Sequence, residues 1–269
     1  MADVGVGGLR LATVRTASGT AARAAVIDAR APRTSSAVAH PLPFADGADA
    51  LRAWAAADAE RAARGDARMP PSRMLQEALD ACDPAGALPL PDVELLPPVA
   101  SSRNAFAIGL NYGEHGARES AMRSAEPHAM ERTERRVPLT IADIPARLPC
   151  LAVTEVKERF QGDIVRRERP SHPVVFTKAQ TAAVGAGAPI ELPPPAVSSE
   201  VDYEGELGVV LLRGGKAIEK EHALEHVFGY SVINDVTARD MQRNHQQWHL
   251  GKSCDTFMPH GPCVPARVV

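Results

Sequence analysis

Val201-Asp202-Tyr203-Glu204-Gly205-Glu206-Leu207-Gly208-Val209-Val210-Leu211-Leu212 is the strongest strand signal in the chain. Successive strand side chains point to opposite faces, so the run predicts Glu204 and Glu206 on one face with Asp202 beside them. Gly205 between the acids has no side chain, so another backbone can approach there. Two carboxylates on one face of an apolar strand repel each other, and if buried they need a cation or a proton. A divalent metal answers that need, and all-oxygen ligation favours Mg²⁺, Mn²⁺ or Ca²⁺. A solvent-facing strand with its acids outward explains this segment equally well. A third carboxylate tips the balance. Asp235 closes the apolar strand Tyr230-Ser231-Val232-Ile233-Asn234-Asp235-Val236, at the turn towards a helix.

Cations follow at once. Arg239 and Gln242 lie three apart and face the same way on a helix. Lys252 sits in Gly251-Lys252-Ser253-Cys254-Asp255-Thr256. Three carboxylates around a divalent ion leave about one negative charge by formal counting, so an anionic substrate needs extra cations. Arg239 and Lys252 can serve, or Arg239 can pair structurally with Asp240 or Asp235. Only five of the 30 basic residues are lysines, which makes Lys178 and Lys252 informative.

Working outward, Leu9–Thr16 and Ala21–Ala29 read as two strands joined by a polar turn. Asp49–Arg64 and Ser72–Cys82 read as helices, the second started by Pro70 and Pro71. The proline-rich stretch Leu88–Pro98 reads as a link. It separates a small N-terminal α+β domain, residues 1–98, from a main domain, residues 99–269. Ala105–Leu110 has a buried-strand pattern, and Pro173–Thr177 and Ile190–Leu192 are further strands. Residues 120–172 form a charged, weakly periodic excursion, read as a solvated segment or as a lid. Gly214-Gly215 reads as a hairpin turn, Glu221–Phe228 as a short helix and Ala238–Gln247 as another.

Composition excludes several classes. The chain has 269 residues, 45% of them hydrophobic and 23% charged, which is ordinary globular usage. A net charge of −3 gives no electrostatic reason to expect nucleic acid. No apolar run approaches the roughly 20 residues that span a bilayer, so no membrane partner is expected. The start lacks a signal-peptide pattern, and the cysteines (82, 150, 254, 263) form no C-x-x-C pair. Together these point to a cytoplasmic protein with reduced thiols, Cys254 included as a packing residue. His245/His249 and His222/His226 have H-x-x-x-H spacing but lack the Glu of a zinc-protease motif and an assignable third ligand.

The motifs Asp202–Leu207, Asn234–Gln242 and Gly251–Thr256 resemble those of the fumarylacetoacetate hydrolase family. Gly109-Leu110-Asn111-Tyr112-Gly113-Glu114-His115, Val175-Phe176-Thr177-Lys178 and Gly185-Ala186-Gly187 fit upstream in the family's order. The resemblance implies an α+β fold built on a mixed β-roll, and a site holding Mg²⁺ or Mn²⁺, with Ca²⁺ as the other oxygen-favouring ion. It implies a homodimer. By resemblance, Glu204, Glu206 and Asp235 correspond to metal ligands. Lys178, Arg239, Gln242 and Lys252 correspond to substrate-contacting positions, and His115 to the catalytic base. Glu119, four residues on, shares a helix face with His115 and would orient it.

The implied reaction is metal-dependent hydrolytic cleavage of a C–C bond in a small anionic 2-oxo or 1,3-diketo acid of the acylpyruvate or fumarylpyruvate type. A metal chelated by an α-keto acid polarises its carbonyl and stabilises the departing enolate. Two alternatives stand beside it. One is an oxaloacetate-type decarboxylase or isomerase on the same site. The other is a relative that binds metal without turnover, motivated by the family's later strands and Gly-Thr-Pro turn, which do not follow before Val269.

Overall fold

The computed structural model describes residues 8–16, 19, 21–29, 37–99, 104–109, 172–245 and 247–266. By compactness the chain forms two units, residues 1–105 with 178–269, and residues 106–177. The boundary expected at residue 98 falls inside the first unit.

The first unit opens with a five-stranded antiparallel sheet in the order β4-β3-β2-β1-β5. Its strands are β1 (Leu9–Thr16), β2 (Arg23–Asp28), β3 (Val38–Pro41), β4 (Leu88–Pro89) and β5 (Val93–Leu96). Helices α1 (Gly47–Ala63) and α2 (Pro71–Asp80) accompany it. Asp46 caps α1 by accepting from the Asp49 N–H at 2.8 Å, and Pro71 starts α2 where a missing N–H costs nothing. The stretch expected to be only a link thus supplies both edge strands, where proline is tolerated because one side of the ladder is unpaired.

A second sheet runs β10-β11-β13-β8, with β14 also paired to β11. These are β8 (Ala183–Gly185), β10 (Gly205–Leu211), β11 (Val227–Asn234), β13 (Met258–His260) and β14 (Val264–Pro265). β13 and β8 are parallel and the other pairs antiparallel, so the sheet is mixed. Leu11 and Cys263 exchange two backbone hydrogen bonds of 2.9 Å, joining the two sheets. One core serves both: Leu9, Leu11, Val26 and Leu75 pack in the same cluster as Leu212, Phe228 and Cys263. Trp54 of α1 stacks on Phe228, with ring centroids 5.9 Å apart. Asp58, its side chain wholly buried, binds Arg213, Arg68 and the Met69 N–H. Burial alone would push its carboxyl up, but these partners outweigh that and hold it below the usual range. At Gly185 the Leu95 carbonyl oxygen lies 1.8 Å from where a Cβ would sit, so only glycine lets β8 lie so close to the first sheet.

The deciding strand is not continuous. β9 (Val201–Asp202) pairs with β12 (Thr237–Ala238), the ladder breaks at Tyr203 and Glu204, and β10 begins at Gly205. The two-residue alternation counted from 201 to 212 does not run through that break. Three further expectations are corrected. Ile190–Leu192 forms no strand, because Pro193, Pro194 and Pro195 follow and cannot donate to a ladder. The β10–β11 connection is not a tight turn at Gly214-Gly215 but a longer loop containing a 3-10 stretch, Lys220–His226. The helix expected over 238–247 is one short piece, α3 (Arg239–Asn244), followed by a one-turn α4 (His249–Lys252). Of residues 106–177, β6 (Ala105–Gly109) and β7 (Val174–Lys178) pair as two strands. β6 alternates half-buried and exposed residues instead of being buried throughout. Among the described residues no helix is long and apolar enough to cross a membrane.

Candidate active site

Four short segments of the first unit bring charged side chains to one buried point. Lys178 ends β7, Glu204 lies in the break between β9 and β10, Asp235 follows β11, and Lys252 ends α4. Backbone bonds fix the two acids against each other. The Asp235 N–H donates to the Glu204 carbonyl at 2.7 Å, and the Glu204 N–H donates to Asn234 Oδ1 at 3.2 Å. The strand break therefore has a role: it lets Glu204 turn towards Asp235. Beneath lies an apolar cluster of Ala182, Val236, Ala238, Phe257 and Met258, with Cys254 packed against it.

Lys178 is 2% exposed, Lys252 2% and Asp235 4%, so these charges survive only as partners. The Asp235 carboxylate bridges the two lysines: Lys178 Nζ donates to its Oδ1 at 2.5 Å, and Lys252 Nζ to its Oδ2 at 2.8 Å. Lys178 Nζ also donates to the Val236 carbonyl at 3.1 Å. Lys252 Nζ donates a second bond, to Glu204 Oε2. The other Glu204 oxygen accepts from Arg239 Nη2 at 2.8 Å. The Arg239 guanidinium forks onto Asp202 Oδ2 at 2.8 and 3.1 Å, and its Nη1 donates to Gln242 Oε1 at 3.2 Å. Three cations thus meet three carboxylates in one network. Burial pushes the Lys178 amine below its ordinary range, and the Asp235 charge opposes this without cancelling it. At Arg239 burial acts in the same direction, but Glu204 and Asp202 outweigh it and raise the guanidinium further.

The network brings together Lys178, Glu204, Asp235, Arg239, Gln242 and Lys252 of the residues singled out in the sequence. Glu206 lies on β10, half-buried and paired across the ladder with Ile233. His115 and Glu119 lie outside the described residues, as does nearly all of the 120–172 excursion. Sequence reasoning set Asp202 beside the acids but gave it no role; it is the main anchor of Arg239. Ser253, whose Oγ accepts from the Ala179 N–H at 3.0 Å, stands in the quoted Gly251–Thr256 motif without a role of its own. Its only signal is its place next to Lys252. Cys254 packs against the apolar cluster, and burial and then Asp255 push its thiol up.

The donor set suits a divalent ion in part. Glu204 and Asp235 each present a carboxylate oxygen to one point, which the Lys252 ammonium fills, and hard oxygen donors suit Mg²⁺, Mn²⁺ or Ca²⁺. Among the described residues no group of three His, Cys, Asp or Glu side chains is arranged around a common centre.

Residues 151–269 match the family model described as fumarylacetoacetate hydrolase, C-terminal. Oxaloacetate tautomerase YisK of Bacillus subtilis is 50% identical over 95 residues, 35% of this chain and 31% of that protein. Mitochondrial oxaloacetate tautomerase fahd2 of Xenopus laevis is 39% identical over 127 residues, 46% of this chain and 38% of that protein. The chain thus spans well under half the length of these two relatives. Among solved structures, a 5-carboxymethyl-2-hydroxymuconate delta-isomerase from Mycobacterium smegmatis matches with a TM-score of 0.54 and 25% identity, over 97% of this chain and 68% of that one. A fumarylacetoacetate hydrolase from Exiguobacterium antarcticum matches with a TM-score of 0.55 and 26% identity, over 95% and 66%. The α+β architecture and its mixed sheet agree with these neighbours, and residues 151–269 match the C-terminal domain of the fumarylacetoacetate hydrolase family.

Proposed function

We propose that this chain catalyses proton transfer in a small 2-oxo dicarboxylic acid of the oxaloacetate type, interconverting its keto and enol forms. The observation that carries the reading is the buried convergence of Lys178, Lys252 and Arg239 on Asp235 and Glu204. The names of the relatives point the same way: two are called oxaloacetate tautomerases and a structural neighbour is called an isomerase. The hydrolytic reading, acylpyruvate cleavage, leans on His115 and Glu119 and draws less support.

The chemistry is economical. Enol-to-keto conversion removes one proton from oxygen and adds one to the neighbouring carbon, and no bond between heavy atoms breaks. A dianionic substrate needs cations, and Arg239 and Lys252 supply them, Arg239 with the planar fork that suits a carboxylate. Lys178 is the proton-carrying group at the substrate carbon, its Nζ held at Asp235 and shielded from bulk water. Gln242 steers the Arg239 guanidinium. A divalent ion seated on Glu204 and Asp235 would polarise the 2-oxo group and stabilise the enolate.

The test is direct. Enolic oxaloacetate is added to the purified chain with Mg²⁺ or Mn²⁺ in an amine-free buffer, and the enol absorbance is followed. The expected result is ketonisation above the buffer rate with total oxaloacetate unchanged. A rate equal to buffer, from a folded and metal-supplemented chain, refutes the proposal. Release of CO₂ would select the decarboxylase instead, and consumption of an acylpyruvate the hydrolase.

A further inference from the structure

The residues that follow the two buried lysines are tied to each other. Ala179 directly follows Lys178, and Ser253 directly follows Lys252. Ser253 Oγ accepts the Ala179 N–H at 3.0 Å across 74 positions of chain. The same Oγ lies 3.2 Å from His249 Nδ1, one turn back on α4. A serine hydroxyl has one proton and two acceptor sites. Ser253 Oγ is thus bonded both to the Ala179 N–H and to the His249 ring nitrogen. One hydroxyl therefore bridges the segment carrying Lys178 and the helix carrying Lys252.

Such a tie is needed. α4 has only four residues, too few to hold its own shape, because one helical turn is unstable alone. Gly251 packs its bare Cα against the Ala238 carbonyl and the Gln242 backbone, where a Cβ would come within 2.9 and 2.8 Å, but this seats only one side of the turn. Lysine has four side-chain torsions, so the position of its ammonium depends on how firmly its backbone is held. Both ammonium groups must reach opposite oxygens of one carboxylate.

We propose that Ser253 is a positioning residue: through Ala179 and His249 it locks Lys178 and Lys252 in register on Asp235. As a statement about catalysis this rests on the tautomerase reading; as a statement about geometry it does not. The test uses Ser253→Ala, which removes the hydroxyl, and Ser253→Thr, which keeps it. His249→Phe keeps Ser253 but removes the ring nitrogen it bonds, and so serves if Ser253→Ala does not fold. Three readouts are taken on each purified full chain: steady-state ketonisation, hydrogen exchange of the Ala179 amide, and labelling of Lys178 by a small acylating reagent read by mass spectrometry.

In Ser253→Ala, kcat is expected to fall about 10- to 100-fold with little change in KM, because misplacing a reacting group by an ångström costs this much. The Ala179 amide should exchange about five- to tenfold faster, as one lost hydrogen bond implies, and Lys178 should label faster. Ser253→Thr should restore all three, and His249→Phe should fall between. Wild-type exchange and labelling in Ser253→Ala, or Ser253→Thr as impaired as Ser253→Ala, would overturn the proposal. If wild type turns over no oxaloacetate enol, the functional reading fails, and exchange and labelling still decide the role of Ser253.

Discussion

Lys178→Met is the most demanding test of the buried network. Methionine fills nearly the same space without charge, so the change removes the ammonium and little packing. It deletes the 2.5 Å bond to Asp235 Oδ1 and the 3.1 Å bond to the Val236 carbonyl. Breaking a buried ion pair by removing one partner costs about 3–5 kcal/mol, mostly from the charge left behind. Here Lys252 still holds Asp235 Oδ2 at 2.8 Å, so the lower end, about 3 kcal/mol, applies. Against the typical 5–15 kcal/mol of a folded domain that is a large fraction. Urea unfolding followed by circular dichroism should show the midpoint falling by about 1–2 M, with slope unchanged. A double-mutant cycle with Asp235→Asn should give a coupling of about 1–3 kcal/mol, since neutralising Asp235 removes the stranded charge. A loss below about 1 kcal/mol for Lys178→Met, or additivity within about 0.5 kcal/mol, would show that the pair is not the buried contact described.

Two other perturbations probe different parts of the molecule. His260 is 8% exposed, its Nε2 has no hydrogen-bond partner among the described residues, and burial pushes its pKa from 6.5 down to about 4. Above pH 6.5 folded and unfolded chains both keep it neutral. As pH falls below 6.5 the unfolded chain takes up a proton that the folded chain refuses until about 4. Stability should therefore drop by about 1.4 kcal/mol per pH unit across that window, roughly 3 kcal/mol in all. Urea midpoints from pH 7 to 4.5 should lose this slope in His260→Leu, and an equal slope in both proteins would contradict it. Arg239→Lys keeps the charge but cannot fork onto Asp202 and Glu204 together, so kcat/KM for ketonisation should fall about 10- to 100-fold. Unchanged kcat/KM would remove Arg239 from substrate recognition.

Local signals in the sequence were reliable where partners are local. Leu9–Thr16 is legible to the residue because a nearby polar turn joins it to β2 as a hairpin. Pro71 marked the start of α2 for the same kind of reason. The motif residues that form the site were legible too, yet their pairing was not. Arg239 was expected on Asp235, on Asp240 or on substrate. It binds Asp202 and Glu204, while Asp240 binds Ser198 and the Ser199 N–H. The break at Tyr203–Glu204 is set by the pairing of Asp202 with Thr237, which no window around residue 204 contains. The contact of Ser253 with Ala179 is likewise long-range. Period-two alternation carries no information about where a ladder changes partner, and that change turns Glu204 inward.

The bridge between Leu11 and Cys263 has a kinetic consequence. It joins positions on the order of 250 residues apart, and closing such a loop costs about 5 kcal/mol of chain entropy before any contact repays it. The β1–β2 hairpin needs only a short turn and forms without that cost. We expect the seam between the sheets to close late in folding, after the barrier is crossed, which φ-values near zero at Leu11 would confirm and values near one would refute. Interactions made there leave the folding rate almost untouched and act by slowing escape from the native state. Weakening the Leu11–Cys263 seam would shorten the lifetime of the folded chain more than it would delay its formation.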